Sequence, residues 1–148
     1  MPLCDYFSAP DDATATGVLD EPGGPDPSAL DVLPLKGVDP VVVLPRLEAV
    51  LTGRTYDEVS GLPRSGQLLS SPEADGQFVV SVSDSLQEAL AAAPPASLAE
   101  AAGPWSETEE LRQSGVTAEA VLEALTQLAA LAARAREAGR RLYCWWAL

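Results

Sequence analysis

Apolar and polar positions along this chain follow two periods, and each predicts a different element. Near the N-terminus the period is two. Leu3, Asp5 and Phe7 share one face of a predicted strand, while Cys4, Tyr6 and Ser8 share the other. Pro10, Asp11 and Asp12 then suit a helix start, because the positive end of a helix favours acids; that helix is expected to reach Leu19. Residues 20–28 contain Pro-Gly-Gly-Pro-Asp-Pro and read as a loop, and residues 30–35 as a strand ended near Pro34.

A helical period takes over at Val38-Asp39-Pro40. Asp39 is placed to cap, Val41, Leu44, Leu47, Val50 and Leu51 form one face, and Gly53 is a stop. Pro45 removes a backbone bond at a cost of about 3 kcal/mol beyond the first turn, which predicts a kink or a late start. Thr55 and Glu58 have capping-box spacing. Strands are expected at 66–71 and 77–83. In the second, Phe78, Val80 and Val82 alternate against Val79 and two serines, and Asp75-Gly76 before it favours a hairpin turn. Ser85 and Glu88 predict a helix that Pro94-Pro95 ends. Ser97 with Glu100, and Ser106 with Glu109, predict two short helices around Gly103-Pro104-Trp105.

The strongest periodicity runs from Thr117 to Ala138, with Val121, Leu125, Leu128, Ala132 and Ala135 on one face and Gly139 closing it. Arg134, Arg136, Arg140 and Arg141 gather at its C-terminal end, where the helix dipole favours cations. In the last segment Leu142, Cys144 and Trp146 face one way and Tyr143, Trp145 and Ala147 the other. Apolar residues on both faces predict an inner strand covered on both sides.

Together these elements predict one α+β domain over residues 1–148: a mixed sheet of four or five strands, covered by helices, with a long C-terminal helix leading into a terminal strand. A chain of 148 residues buries roughly 70% of its unfolded surface and needs no metal or disulfide for a core. The order of parts resembles the YfbM-like family of uncharacterised bacterial proteins. The shared features are a strand ending at Tyr6-Phe7, a Val38-Asp39 helix start ending in Leu51-Thr52-Gly53, a Phe78–Val82 strand leading into a helix at Ser85–Ala91, and a long helix turning at Gly139 into an apolar strand. The resemblance implies a fold and carries no activity or catalytic residue. The Pro-rich loop at 22–27 and the Trp145-Trp146 ending depart from it.

Charge and chemistry narrow the function classes. Twenty-two acids against nine bases give a net charge of −13, which repels nucleic acid and anionic membranes and suits a basic protein partner or a cationic ligand. No apolar run is long enough for a bilayer, and the N-terminus lacks the basic leader of a secretory signal, so the expected compartment is the cytoplasm. Cys4 and Cys144 are too few for a disulfide framework; they come close only if the first and last strands are neighbours. The chain has no histidine, which removes the usual general base and makes a zinc site unfavourable. Neither a phosphate-binding glycine loop nor an EF-hand loop is present, so no cofactor or metal is expected.

Most acids sit at expected helix starts, where capping explains them. Asp5 is the exception, since it shares a strand face with Leu3 and Phe7. The candidate binding residues are Asp5, Tyr6, Asp39, Asp84 and Trp105, with Trp105 the leading choice for a pocket wall. The function that fits this inventory is an acidic, non-catalytic binding or regulatory protein recognising a protein partner or small ligand. The alternatives are a carboxylate-dependent hydrolase or isomerase using Asp5, Asp39 or Asp84, and a structural homo-oligomer built on an exposed last strand.

Overall fold

The computed structural model describes residues 3–21, 23–35, 37–71 and 76–148. Four strands, β1 (Leu3–Ala9), β2 (Val32–Pro34), β3 (Gln77–Ser81) and β4 (Arg141–Ala147), form one sheet in the order β2-β1-β4-β3. All its pairings are antiparallel, so the sheet is not mixed as expected. The reason lies in β4. The last strand inserts between the first and the third and runs against both, so no parallel crossover arises. Tyr6 faces Cys144 and Val80 faces Cys144 from the other side. This inner position removes the premise of an oligomer built on an open last strand.

The expected strand at 66–71 is present only as a ribbon beside β3. A single bridge joins Leu68 to Val80, with Leu69 N donating to Val79 O at 2.9 Å and Ser81 N to Gln67 O at 2.9 Å. The pairing is that of a hairpin; Asp75, in its expected turn, lies outside the described residues.

Seven helices accompany the sheet among the described residues: α1 (Asp12–Thr16), α2 (Val43–Thr52), α3 (Tyr56–Ser60), α4 (Asp84–Ala92), α5 (Pro95–Ser106), α6 (Glu109–Ser114) and α7 (Ala118–Glu137). α1 is capped by Asp11, whose carboxylate accepts from Thr14 N at 2.7 Å, and a 3-10 turn at Gly17–Asp20 completes the segment expected to reach Leu19. α2 starts late, as Pro45 requires. With Val43 as its first residue, Pro45 falls in the first turn, where no N–H has an intrahelical partner to lose. Thr55 and Glu58 form the expected capping box of α3.

Two helix starts differ from expectation. Ser83, not Ser85, caps α4: the Ser83 hydroxyl accepts from Leu86 N at 3.1 Å, and Ser85 lies inside the first turn. The two helices expected around Gly103-Pro104-Trp105 are present, but the break falls later: α5 runs unbroken from Pro95 through Pro104 and Trp105 to Ser106, so Trp105 is helical and not in a linker. Pro104 lies in its last turn, where one missing N–H is offset by burial of Trp105, and Thr108 opens α6.

α7 is capped by Thr117 and ends where Gly139 takes φ +67°, the left-handed conformation that turns the chain into β4. The arginines at its end make ordinary ion pairs: Arg134 with Asp31 at 2.7 Å and Arg136 with Glu88 at 3.5 Å.

The sheet divides two cores. On one face Cys4, Tyr6, Leu142 and Cys144 pack against α2, α4, α5 and α7. On the other Phe7, Val79, Tyr143 and Trp145 pack against Ala15 and Val18 from the segment after β1. Period-two alternation in β1 and β4 therefore sends each residue to the layer its face predicts. No helix among the described residues is long and apolar enough to cross a membrane.

Candidate functional site

The most site-like feature is an apolar cavity of about 210 Å³ between the segment after β2 and helices α5, α6 and α7. Leu35, Val38, Trp105, Leu111 and Val121 are buried around it, and Pro34, Gly37 and Val116 are exposed at its rim. Its sequence origin is traceable. The α7 stripe supplies Val121, and the small side chains of Ala120 and Ala124 beside it leave room that leucines would fill. The late start of α2 leaves residues 38–42 as an irregular stretch over the top of the sheet. Two aromatics pin that stretch. The Tyr6 hydroxyl donates to Val38 O at 2.5 Å, and Trp105 Nε1 donates to Val43 O at 3.0 Å.

The cavity is chemically quiet. Among the described residues no charged side chain lines it, and the polar atoms of Tyr6 and Trp105 are spent on backbone carbonyls. Burial pushes the Tyr6 phenol well above its ordinary range, so it stays a neutral donor.

Of the five predicted residues, three come together here. Tyr6, Asp39 and Trp105 all act on the 38–43 stretch. Asp39 does so as a turn former, with one carboxylate oxygen accepting from Val41 N at 2.9 Å and Val42 N at 2.6 Å. Only Trp105 among the five lines the cavity. Asp5 points to the other side of the sheet, between Pro34 and Trp145 in the strand register, and its carboxyl is raised by burial.

Asp84 belongs to a separate polar cluster at the far end of β4. There Arg64 Nη1 meets Asp12 at 3.1 Å, and the Tyr143 hydroxyl donates to Asp12 at 2.7 Å. Asp84 lies 3.7 Å from Arg64 Nε and 3.5 Å from Arg141 Nε. Arg64 takes φ +68°, alone among the described non-glycine residues, and its carbonyl accepts from Ser81 Oγ at 2.7 Å. The hydrogen bonds from Arg64 and Tyr143 hold the Asp12 carboxyl below its ordinary range. Burial, then the bond to Asp12, pushes the Tyr143 phenol up to about 12. The cluster ties α1, the 61–66 turn, α4 and β4 together.

Sequence reasoning missed Glu48. It is 1% exposed, accepts from Ser83 Oγ at 2.5 Å and from Ser85 Oγ, and so joins α2 to the start of α4. One signal existed: Glu48 follows Leu44 by four positions and so falls on the apolar stripe of α2. Among the described residues no group of three or more metal-ligating acids or cysteines gathers. In comparisons with known proteins, no family model, no curated protein and no solved structure matches this chain.

Proposed function

We propose that this chain is a non-catalytic binding protein that takes a small, uncharged, apolar molecule into the cavity walled by Trp105. The observation that carries the reading is the cavity itself. About 210 Å³ of space bounded by Leu35, Val38, Trp105, Leu111 and Val121 exceeds the ~150 Å³ that holds benzene or xenon in an apolar core. It falls short of the ~300 Å³ at which drug-sized pockets begin, so the favoured ligand is a single ring or a short branched hydrocarbon group. Trp105 offers a rigid face, and its N–H is already satisfied, so binding requires no polar group from the ligand.

The carboxylate enzyme finds less support, because the Asp39 carboxylate is spent on the backbone N–H groups of Val41 and Val42 and Asp84 lies apart, beside Arg64 and Arg141. Kinship with the YfbM-like family remains a proposal from element order and names no ligand. We place the protein in the cytoplasm because two unbridged buried thiols suit a reducing compartment.

Thermal unfolding with benzene, toluene and indole tests the reading. A saturable rise in Tm for the wild type that disappears in Ala124→Leu supports it; no rise, or one that survives the substitution, contradicts it. A second reading, recognition of a basic protein, is favoured by the net charge of −13. It requires association that weakens steeply with added salt, and salt-insensitive association contradicts it.

A further inference from the structure

We propose that α6 is a hinged lid on the apolar cavity, latched shut by the ion pair between Arg46 and Glu110, and that it opens to admit the small apolar ligand. For the ligand the proposal rests on the cavity reading above; the hinge is a property of the ligand-free chain.

The four walls of the cavity are held very differently. The segment after β2 is tied to the sheet: Leu35 N donates to Cys4 O at 2.8 Å, and the Tyr6 hydroxyl donates to Val38 O. α5 is pinned by Trp105, whose Nε1 donates to Val43 O at 3.0 Å. α7 buries a stripe from Val121 to Ala135 in the core. α6 buries Leu111 alone, and every position from 112 to 120 is exposed. Its hydrogen bonds are local: Arg112 N to Thr108 O at 3.0 Å, Gly115 N to Arg112 O at 3.2 Å and Ser114 Oγ to Leu111 O at 2.7 Å.

Among the described residues one long-range polar contact reaches α6. Arg46 Nε of α2 donates to Glu110 Oε1 at 2.9 Å, with the two side chains 41% and 27% exposed. The Arg46 guanidinium also lies 4.6 Å from the centre of the Tyr56 ring, which keeps it in place when Glu110 leaves. Hinge points flank the helix. Thr108 is extended, with φ −62° and ψ 148°, between α5 and α6. Gly115 takes φ +72°, and an added Cβ there would meet nothing within 4 Å. Rotation about these two points withdraws Leu111 from the wall it shares with Trp105 and Val121, and widens the mouth at the exposed Val116.

The magnitudes favour a local motion over unfolding of the whole chain. One buried leucine and one part-exposed ion pair hold α6 closed, which corresponds to an open fraction of about one part in a hundred. Global unfolding is rarer by about a hundredfold or more. A six-residue helix has no stability of its own once undocked, so opening unwinds α6 and exposes its amides to exchange.

The test has two arms. In hydrogen exchange of the ligand-free chain, protection of residues 112–115 should be lower by about a hundredfold or more than that of residues 125–135 in α7. Glu110→Gln should speed exchange in α6 by a further factor of about two to five and leave α7 unchanged. Glu88→Gln, which removes the comparable pair with Arg136, is the control and should leave α6 as in the wild type. In NMR exchange measurements with toluene, Glu110→Gln should raise the rates of entry and exit by that same factor of about two to five, with Kd unchanged. Exchange of α6 and α7 at one common rate overturns the lid, and so do toluene rates that do not respond to Glu110→Gln. Absence of toluene binding overturns the cavity reading instead, and exchange in the ligand-free chain then decides the hinge by itself.

Discussion

Trp105→Ala is the perturbation whose consequences follow most directly from the structure. Trp105 is 1% exposed and heads the large, fully buried side chains. A buried tryptophan removes about 150–250 Å² from water. At about 25 cal/mol/Å², discounted by about a quarter for compactness of the unfolded chain, this is worth about 3–5 kcal/mol. Loss of the Nε1 bond to Val43 adds about 1 kcal/mol. The helix-propensity gain of alanine returns only a few tenths of a kcal/mol. The expected loss is about 4–5 kcal/mol, and at about 2–4 °C per kcal/mol for a chain this long, Tm falls by about 8–20 °C. Urea unfolding followed by circular dichroism measures it. The enlarged void has the shape of the missing ring, so indole at a hundred times its Kd should restore about 2.7 kcal/mol. A loss under about 1.5 kcal/mol with an unchanged m-value would refute the claim that Trp105 is a packed wall.

Three further outcomes follow from other parts of the fold. Trp145→Phe should cost well under the loss at Trp105 in the same urea assay, because the buried Trp145 Nε1 has no partner among the described residues and its removal offsets lost area. Gly24→Ala should destabilise by about 1–3 kcal/mol in thermal unfolding, since a Cβ there would sit 2.6 Å from the Trp145 ring at φ +85°. Tyr143 stays protonated in the fold up to about 12, against 10.0 for a free phenol. The proton is thus held more tightly in the folded state, and the resulting stability is present below pH 10 and lost as pH rises to 12. The stability gap between wild type and Tyr143→Phe should therefore narrow across that window, and a constant gap would contradict it.

The local chemistry of the chain made much of the fold legible. Two-faced alternation in residues 142–147 identified an inner strand, and the structure places it between β1 and β3 with a core on each side. Pro45 signalled the late start of α2 because its missing N–H is harmless only in a first turn. Serine spacing was less informative. Ser85, Ser97 and Ser106 all have cap-like neighbours, yet none caps a helix, since cap choice depends on what the hydroxyl meets in space. Pro104 read as a break for the same reason: burial of the next residue, which local sequence does not display, outweighs its local cost.

Of the site, Trp105 and Tyr6 were legible as large amphipathic side chains that must bury a body and satisfy a polar tip. The cavity was not. It arises from small residues of α7 meeting an irregular stretch some eighty positions earlier in the chain, and no local period encodes that meeting.

Diffraction from crystals equilibrated with xenon under pressure tests the central claim most directly. Xenon fills dry apolar space and leaves packed or hydrated regions empty. The account predicts a single xenon among Val38, Trp105, Leu111 and Val121. Helices α5 and α7 closed onto one another, or ordered water in that space, would contradict it.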